Sequence, residues 1–178
     1  RYDAEIAAAD EGLGGLVAAF RAARPGAVVM VAADHGEEFL EHGGRYHGTT
    51  VFDEQARVPL VVSAPGAIAP RRVSQPVQLV DLLPTVLASL DVPRPARVRG
   101  IDLGPYLAGA ALDPERQRGF AFSETETQTL IARGTLRLVC ERKIGACALY
   151  DVARDPGQLR DVSTAHPDEL VAMRSELR

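Results

Sequence analysis

VVMVAADHGEEFLEHGGRYHGTTVFDEQARVPLVVSAP, residues 28–65, is the stretch whose reading decides the fold. It opens in an uncharged run, Ala27 to Ala33, that reads as a strand buried on both faces, the pattern of a parallel sheet. The run stops at Asp34-His35-Gly36, two ligand-type side chains followed by glycine. Polar residues at the carboxyl end of a buried strand lie where open α/β sheets bind ligands. A loop with Glu37, Glu38, Glu41, His42 and His47 follows, and a second apolar run, Val58 to Ser63, returns to the sheet. Three of the four histidines fall between positions 35 and 47.

Outward from that stretch, Tyr2 to Arg24 predicts a helix, with Tyr2, Ile6, Ala9, Leu13, Leu16, Val17 and Phe20 stepping by three and four. Gly12, Gly14 and Gly15 weaken it or allow close packing on a sheet, and Pro25-Gly26 ends it. Helix, tight turn and buried strand read as the second half of a βαβ unit, with its first strand expected before residue 1. Gln78 to Leu90 predicts an apolar helix in which Pro84 makes a kink or marks the first turn. Ile101 to Leu107 is turn-rich, and 110–119 reads as an exposed loop. From Phe120 the pattern changes to short strands, Phe120–Ser123, Thr129–Ala132, Thr135–Glu141 and Cys147–Val152, and then a helix over 168–177. The fold class is therefore α/β for residues 1–118, followed by a small α+β subdomain, 119–178, with an antiparallel sheet and a terminal helix.

With 178 residues, 46% apolar and 25% charged, the chain has the composition of a soluble globular protein. A net charge of −4 gives no reason to expect nucleic acid or an anionic membrane as partner. No apolar run is long enough to span a membrane. The chain starts without Met, so the lack of a leader pattern carries no information about location. Its abundant Ala, Arg, Gly and Pro suggest a GC-rich genome, which is a statement about codons only.

Asp34 and His35 together read as half of a metal site, a hard oxygen and a borderline nitrogen that suit Mn, Zn or Fe better than Ca. The competing reading is an aspartate capping the following turn and a histidine bonded to backbone. His47 could bind an anion or act as a general acid, or else be a loop histidine against Glu41 or Asp53. His42 reads as structural or solvated, and His166, before Pro167 at a helix start, as incidental. Glu37, Glu38 and Glu41 read as a solvated helix face, with Glu37 placed to orient His35. Cys140 and Cys147 flank a turn, either as a cross-strand disulfide or as two thiols on a strand face. No hydroxyl sits in a recognisable nucleophile motif.

YDAEIAAADEGLGGLV, VVMVAADHGEEFLEHG, HGTTVFDEQARVPLVVSAPG, VQLVDLLPTVLASL and ALYDVARDPGQ, in that order, resemble successive landmarks of the sulfatases of the alkaline phosphatase-like superfamily. The likeness implies part of a mixed α/β sheet with flanking helices, plus the small C-terminal subdomain. It implies hydrolysis of sulfate esters at a divalent cation, usually Ca2+, with Mn2+ or Zn2+ admitted by His35. By position, Asp34 and His35 resemble two metal ligands, and His47 resembles the basic residue, often Lys, that binds the ester's oxygens. The anionic ester would be the partner, with no nucleic acid and no membrane span in this segment. Family members include periplasmic and secreted enzymes.

The family's nucleophile is a formylglycine made in a Cys/Ser-x-Pro-x-Arg motif, and no such motif occurs here, nor does an Asp-Asp pair. The resemblance therefore implies the C-terminal portion of a sulfatase, inactive without its N-terminal half. Two alternatives stand beside it. One is a phosphonate or phosphodiester hydrolase of the same superfamily. The other is a non-catalytic binding module that keeps the fold.

Overall fold

The structure is a computed structural model that describes residues 2–110 and 119–177. The chain is mixed α/β and divides into two compact units, one of residues 1–32 and 59–70, the other of 33–58 and 71–178. The loop expected over 110–119 lies almost wholly outside the described residues.

In the first unit, helix α1 (Tyr2–Ala23) takes up the helical period, with Asp3 and Glu5 in its first turn and Arg21 in its last, as the helix dipole favours. Pro25-Gly26 makes the turn into strand β1 (Val29–Ala32), which pairs with β4 (Leu60–Ser63). Arg21 Nη2 donates to Ser63 Oγ at 2.5 Å.

Two expectations are corrected in this unit. β1 and β4 run antiparallel, Val29 opposite Ser63 and Ala32 opposite Leu60, and β1 is only partly buried. Parallel neighbours need a crossover, commonly a helix. Residues 33–59 instead hold two-residue strands and a one-turn helix. The glycines of α1 do not receive a close neighbour: a Cβ on Gly12, Gly14 or Gly15 would meet nothing within 4 Å. Among the described residues none of α1 is buried.

The second unit is built on a four-stranded antiparallel meander, β5 (Ala121–Glu124), β6 (Gln128–Arg133), β7 (Leu136–Glu141) and β8 (Cys147–Asp151). These are the strands predicted from Phe120 onward. Alternation along the strands gives the sheet two apolar faces. Ile131, Leu138, Cys140 and Leu149 form one, closed by Met173 of helix α5 (Pro167–Ser175). Leu130 and Val139 form the other, covered by Val51 and Phe52. Each fully buried aliphatic side chain contributes roughly 1.5–3 kcal/mol. Cys140 and Cys147 face each other in register and are bonded, with their Cα atoms 4.0 Å apart.

Leu79–Asp81 is a 3₁₀ turn that leads into α3 (Leu82–Ser89), so Pro84 falls in the first turn of an α-helix, where its missing N–H costs nothing. Asp81 is buried and accepts from the backbone of Gln78 at 2.8 Å and of Ile101 at 2.9 Å. Thr85 Oγ1 accepts from Leu103 N at 2.9 Å, leading into the short helix α4 (Gly104–Ala108).

Candidate functional site

Residues 34–58 are the part of the second unit that carries the predicted site. A two-residue hairpin, β2 (Glu38–Phe39) with β3 (Arg45–Tyr46), replaces the helix face expected for the glutamates. Leu40 and Tyr46 stand at φ 78° and 70°, left-handed conformations that non-glycine residues seldom adopt. Such strain persists only where surrounding contacts enforce it.

Glu38 supplies those contacts. It is 1% exposed, contrary to its expected place on a solvated surface. Its carboxylate accepts from His42 N (3.1 Å), Gly44 N (2.6 Å), Thr50 Oγ1 (2.9 Å) and Gln55 Nε2 (2.5 Å). Burial pushes its pKa up, but the bonds from Gly44, Thr50, Gln55 and His42 outweigh burial and hold it below the ordinary 4.5. Gln55 lies on helix α2 (Asp53–Ala56) and also donates to Thr49 and Thr50.

Helix α2 in turn explains the glycine after His35. Gly36 N donates to Gln55 O at 2.8 Å, and a Cβ on Gly36 would sit 2.0 Å from Glu54 O. Only glycine lets the two backbones approach this closely. Asp53, next along, is bonded to Arg137 of β7, Nε to Oδ1 at 2.8 Å, which ties α2 to the meander.

His35 Nδ1 lies 2.9 Å from Gly36 O, so that nitrogen carries the proton and donates to the carbonyl. Its Nε2 is 3.7 Å from Asp34 Oδ2. Asp34 Oδ1 accepts from His35 N at 3.0 Å. The turn-capping reading of Asp34 and the backbone-bonded reading of His35 thus both describe real bonds. They also leave an oxygen and a nitrogen side by side, with the Asp34 side chain 88% exposed. Metal-ligating histidines commonly donate their second ring N–H to a carbonyl or carboxylate.

His47 stacks on His35, ring centroids 3.9 Å apart and planes at 22°. Its Nδ1 is 3.4 Å from Glu37 Oε1. Glu37 therefore meets His47, where the sequence suggested His35. His42 is structural: its ring contacts Glu54 and the Gln158 carbonyl and lies flat on Phe52. The His166 ring lies 3.6 Å from Glu169 in the first turn of α5.

Two donors are short of a complete site for a divalent ion, which takes four or more. Among the described residues no group of three His, Cys, Asp or Glu side chains is placed to hold a metal ion. A shallow cavity lined by Arg71, Arg72, Gln75 and Tyr106 includes none of the predicted site residues. Among the described residues no helix is long and apolar enough to cross a membrane.

The Asp-His-Gly block set against α2, and the antiparallel meander closed by a terminal helix, are the two landmarks of the second unit. The chain belongs to the sulfatase family, whose sequence model matches residues 1–92. It is 31% identical to zebrafish (Danio rerio) arylsulfatase K over 183 aligned residues, covering 94% of this chain and 34% of that protein. Human arylsulfatase K (Homo sapiens) is 25% identical over 162, covering 84% and 30%. The chain spans about a third of the length of the curated relatives it matches.

Among solved structures, BT4656 in complex with its substrate D-glucosamine-2-N,6-O-disulfate superposes with a TM-score of 0.76 at 22% identity, over 97% of this chain and 38% of that one. The phosphonate monoester hydrolase SpPMH from Silicibacter pomeroyi superposes with a TM-score of 0.69 at 26% identity, over 84% and 33%.

Proposed function

We propose that this chain forms one wall of the active site of a metal-dependent sulfuric ester hydrolase. Asp34 and His35 would hold the metal and His47 the ester's anionic oxygens. The observation that carries the proposal is the pairing of His35 Nε2 with Asp34 Oδ2 at 3.7 Å while Nδ1 is committed to a carbonyl. That commitment fixes the tautomer a ligand needs. When bound, the metal would polarise the ester and stabilise developing charge.

The chain's own residues hold and orient. Glu38 and Gly36 fix the loop, and Glu37 holds His47 by Nδ1, leaving Nε2 to face the ester. A His47 ring protonated on both nitrogens can donate to Glu37 and to an anion at once. Neither cysteine is a free thiol, since both are in the disulfide. We place the nucleophile, a formylglycine by family, in the part of such a hydrolase to which these 178 residues do not correspond.

A second reading is a phosphonate or phosphodiester hydrolase, favoured by the likeness to phosphonate monoester hydrolases and by His35 as a nitrogen donor. The test is turnover of an aryl sulfate and a phosphonate monoester by a metal-loaded enzyme that carries this chain. Faster sulfate hydrolysis that Asp34→Ala abolishes supports the first reading. Preference for the phosphonate ester supports the second, and activity that survives Asp34→Ala refutes both site assignments.

A further inference from the structure

The loop that carries His35 and His47 is fastened to the rest of its unit by a ring whose two nitrogens both meet acceptors. His42 Nδ1 lies 2.6 Å from Glu54 Oε1, and Nε2 lies 3.2 Å from the main-chain oxygen of Gln158. A carbonyl has no proton to give, so Nε2 donates. An ionised carboxylate has none either, so Nδ1 donates too. A neutral imidazole satisfies only one of the two.

The surroundings suit a cationic ring. The His42 side chain is 11% exposed and that of Glu54 17%. Phe52 lies parallel to the ring, centroids 3.5 Å apart and planes at 3°, shielding one face and offering its π-cloud to the charge. The charged groups against His42 are Glu54 from α2 and Glu38 from β2, whose Oε1 accepts from His42 N. Both are anionic. Among the described residues Glu54 has no other ion-pair partner, whereas Asp53 beside it is taken by Arg137 and Arg57.

Gln158 completes the arrangement. It is buried and stands at φ 50°, a left-handed conformation costly for a non-glycine residue. In that conformation its carbonyl reaches His42 and its side-chain Oε1 accepts from Asp53 N at 2.7 Å.

We propose that His42 is a positioning residue held as an imidazolium, a proton-dependent clasp that fixes the loop carrying Asp34, His35 and His47 to the turn at Gln158. The clasp concerns how the loop is held and stands whatever ester the site accepts. Loss of the ring's second proton leaves one buried acceptor without a donor. The clasp is therefore closed on the acid side and opens as pH rises.

The test is nuclear magnetic resonance on the whole 178-residue chain, following the ring nitrogens of His42 and amide exchange across the loop. On the acid side of the transition both ring nitrogens are expected to carry protons. Exchange protection of the Leu40, His42 and Gly44 amides, corrected for intrinsic rate, should fall over the same pH interval in which one ring proton leaves. In Glu54→Gln that interval should move to lower pH. Three results would overturn the proposal: a His42 ring that carries a single proton while the loop is protected, with the other proton on Glu54, loop protection that ignores the ring's titration, or a Glu54→Gln profile like that of the parent.

Discussion

His35 and His47, twelve positions apart, stack ring on ring at 3.9 Å. A proposed metal ligand and a proposed anion donor are thus in direct contact, and a substrate held by one lies beside the other. In an enzyme carrying this chain, His47→Ala should lower kcat/KM for the ester while leaving metal affinity nearly unchanged. The expected loss is roughly 2–4 kcal/mol of transition-state stabilisation, the range for one oxyanion donor. Steady-state kinetics together with metal titration check it, and unchanged kinetics would make His47 structural.

Gly36 is expected to tolerate no side chain. A methyl group at 2.0 Å from Glu54 O meets backbone, which cannot swing away. Gly36→Ala should cost about 1–3 kcal/mol or more, the range for overpacking. Urea denaturation of the two proteins measures it. An unchanged midpoint would mean that the loop and α2 are not in contact.

Glu38 should make the loop acid-labile. Its folded pKa lies below the ordinary 4.5, so the stability it contributes is present above about 4.5 and is lost as pH falls through the folded value. Glu38→Gln removes the charge that the His42, Gly44, Thr50 and Gln55 donors surround, and should destabilise by roughly 3 kcal/mol at pH 7. Denaturation midpoints measured between pH 3 and 7 should slope for the parent and be flatter for the variant. Parallel curves would place the acid sensitivity elsewhere.

The C-terminal meander was legible because alternating faces and turn residues are local signals. Strands β5 to β8 fall within two residues of their expected bounds, and the Cys140–Cys147 pairing follows from the hairpin register. Helix α1 and the start of α3 at the Pro84 turn were legible for the same reason. The pairing direction of β1 was not, because an uncharged run says how apolar a strand is and not which way its neighbour runs. Glu38 was misplaced because three glutamates close together look like a wet surface. Its burial depends on Thr50 and Gln55, 12 and 17 residues away. The partner of His42, Gln158, lies 116 residues on, beyond any local pattern. What the sequence did expose in the site was residue type at a strand end: Asp34, His35 and Gly36.

The most direct test of the account is whether Asp34 and His35 bind a cation together. The chain offers two donors where a full site takes at least four, so affinity in isolation should be weak. Weak binding is detectable with Mn2+, whose paramagnetism broadens nearby resonances. Substoichiometric Mn2+ added to the isotope-labelled 178-residue chain should broaden the signals of Asp34, His35, Gly36 and His47 first, and Asp34→Ala should abolish that selectivity. Broadening centred on other acidic residues, or the same pattern in Asp34→Ala, would contradict the metal assignment on which the proposed function rests.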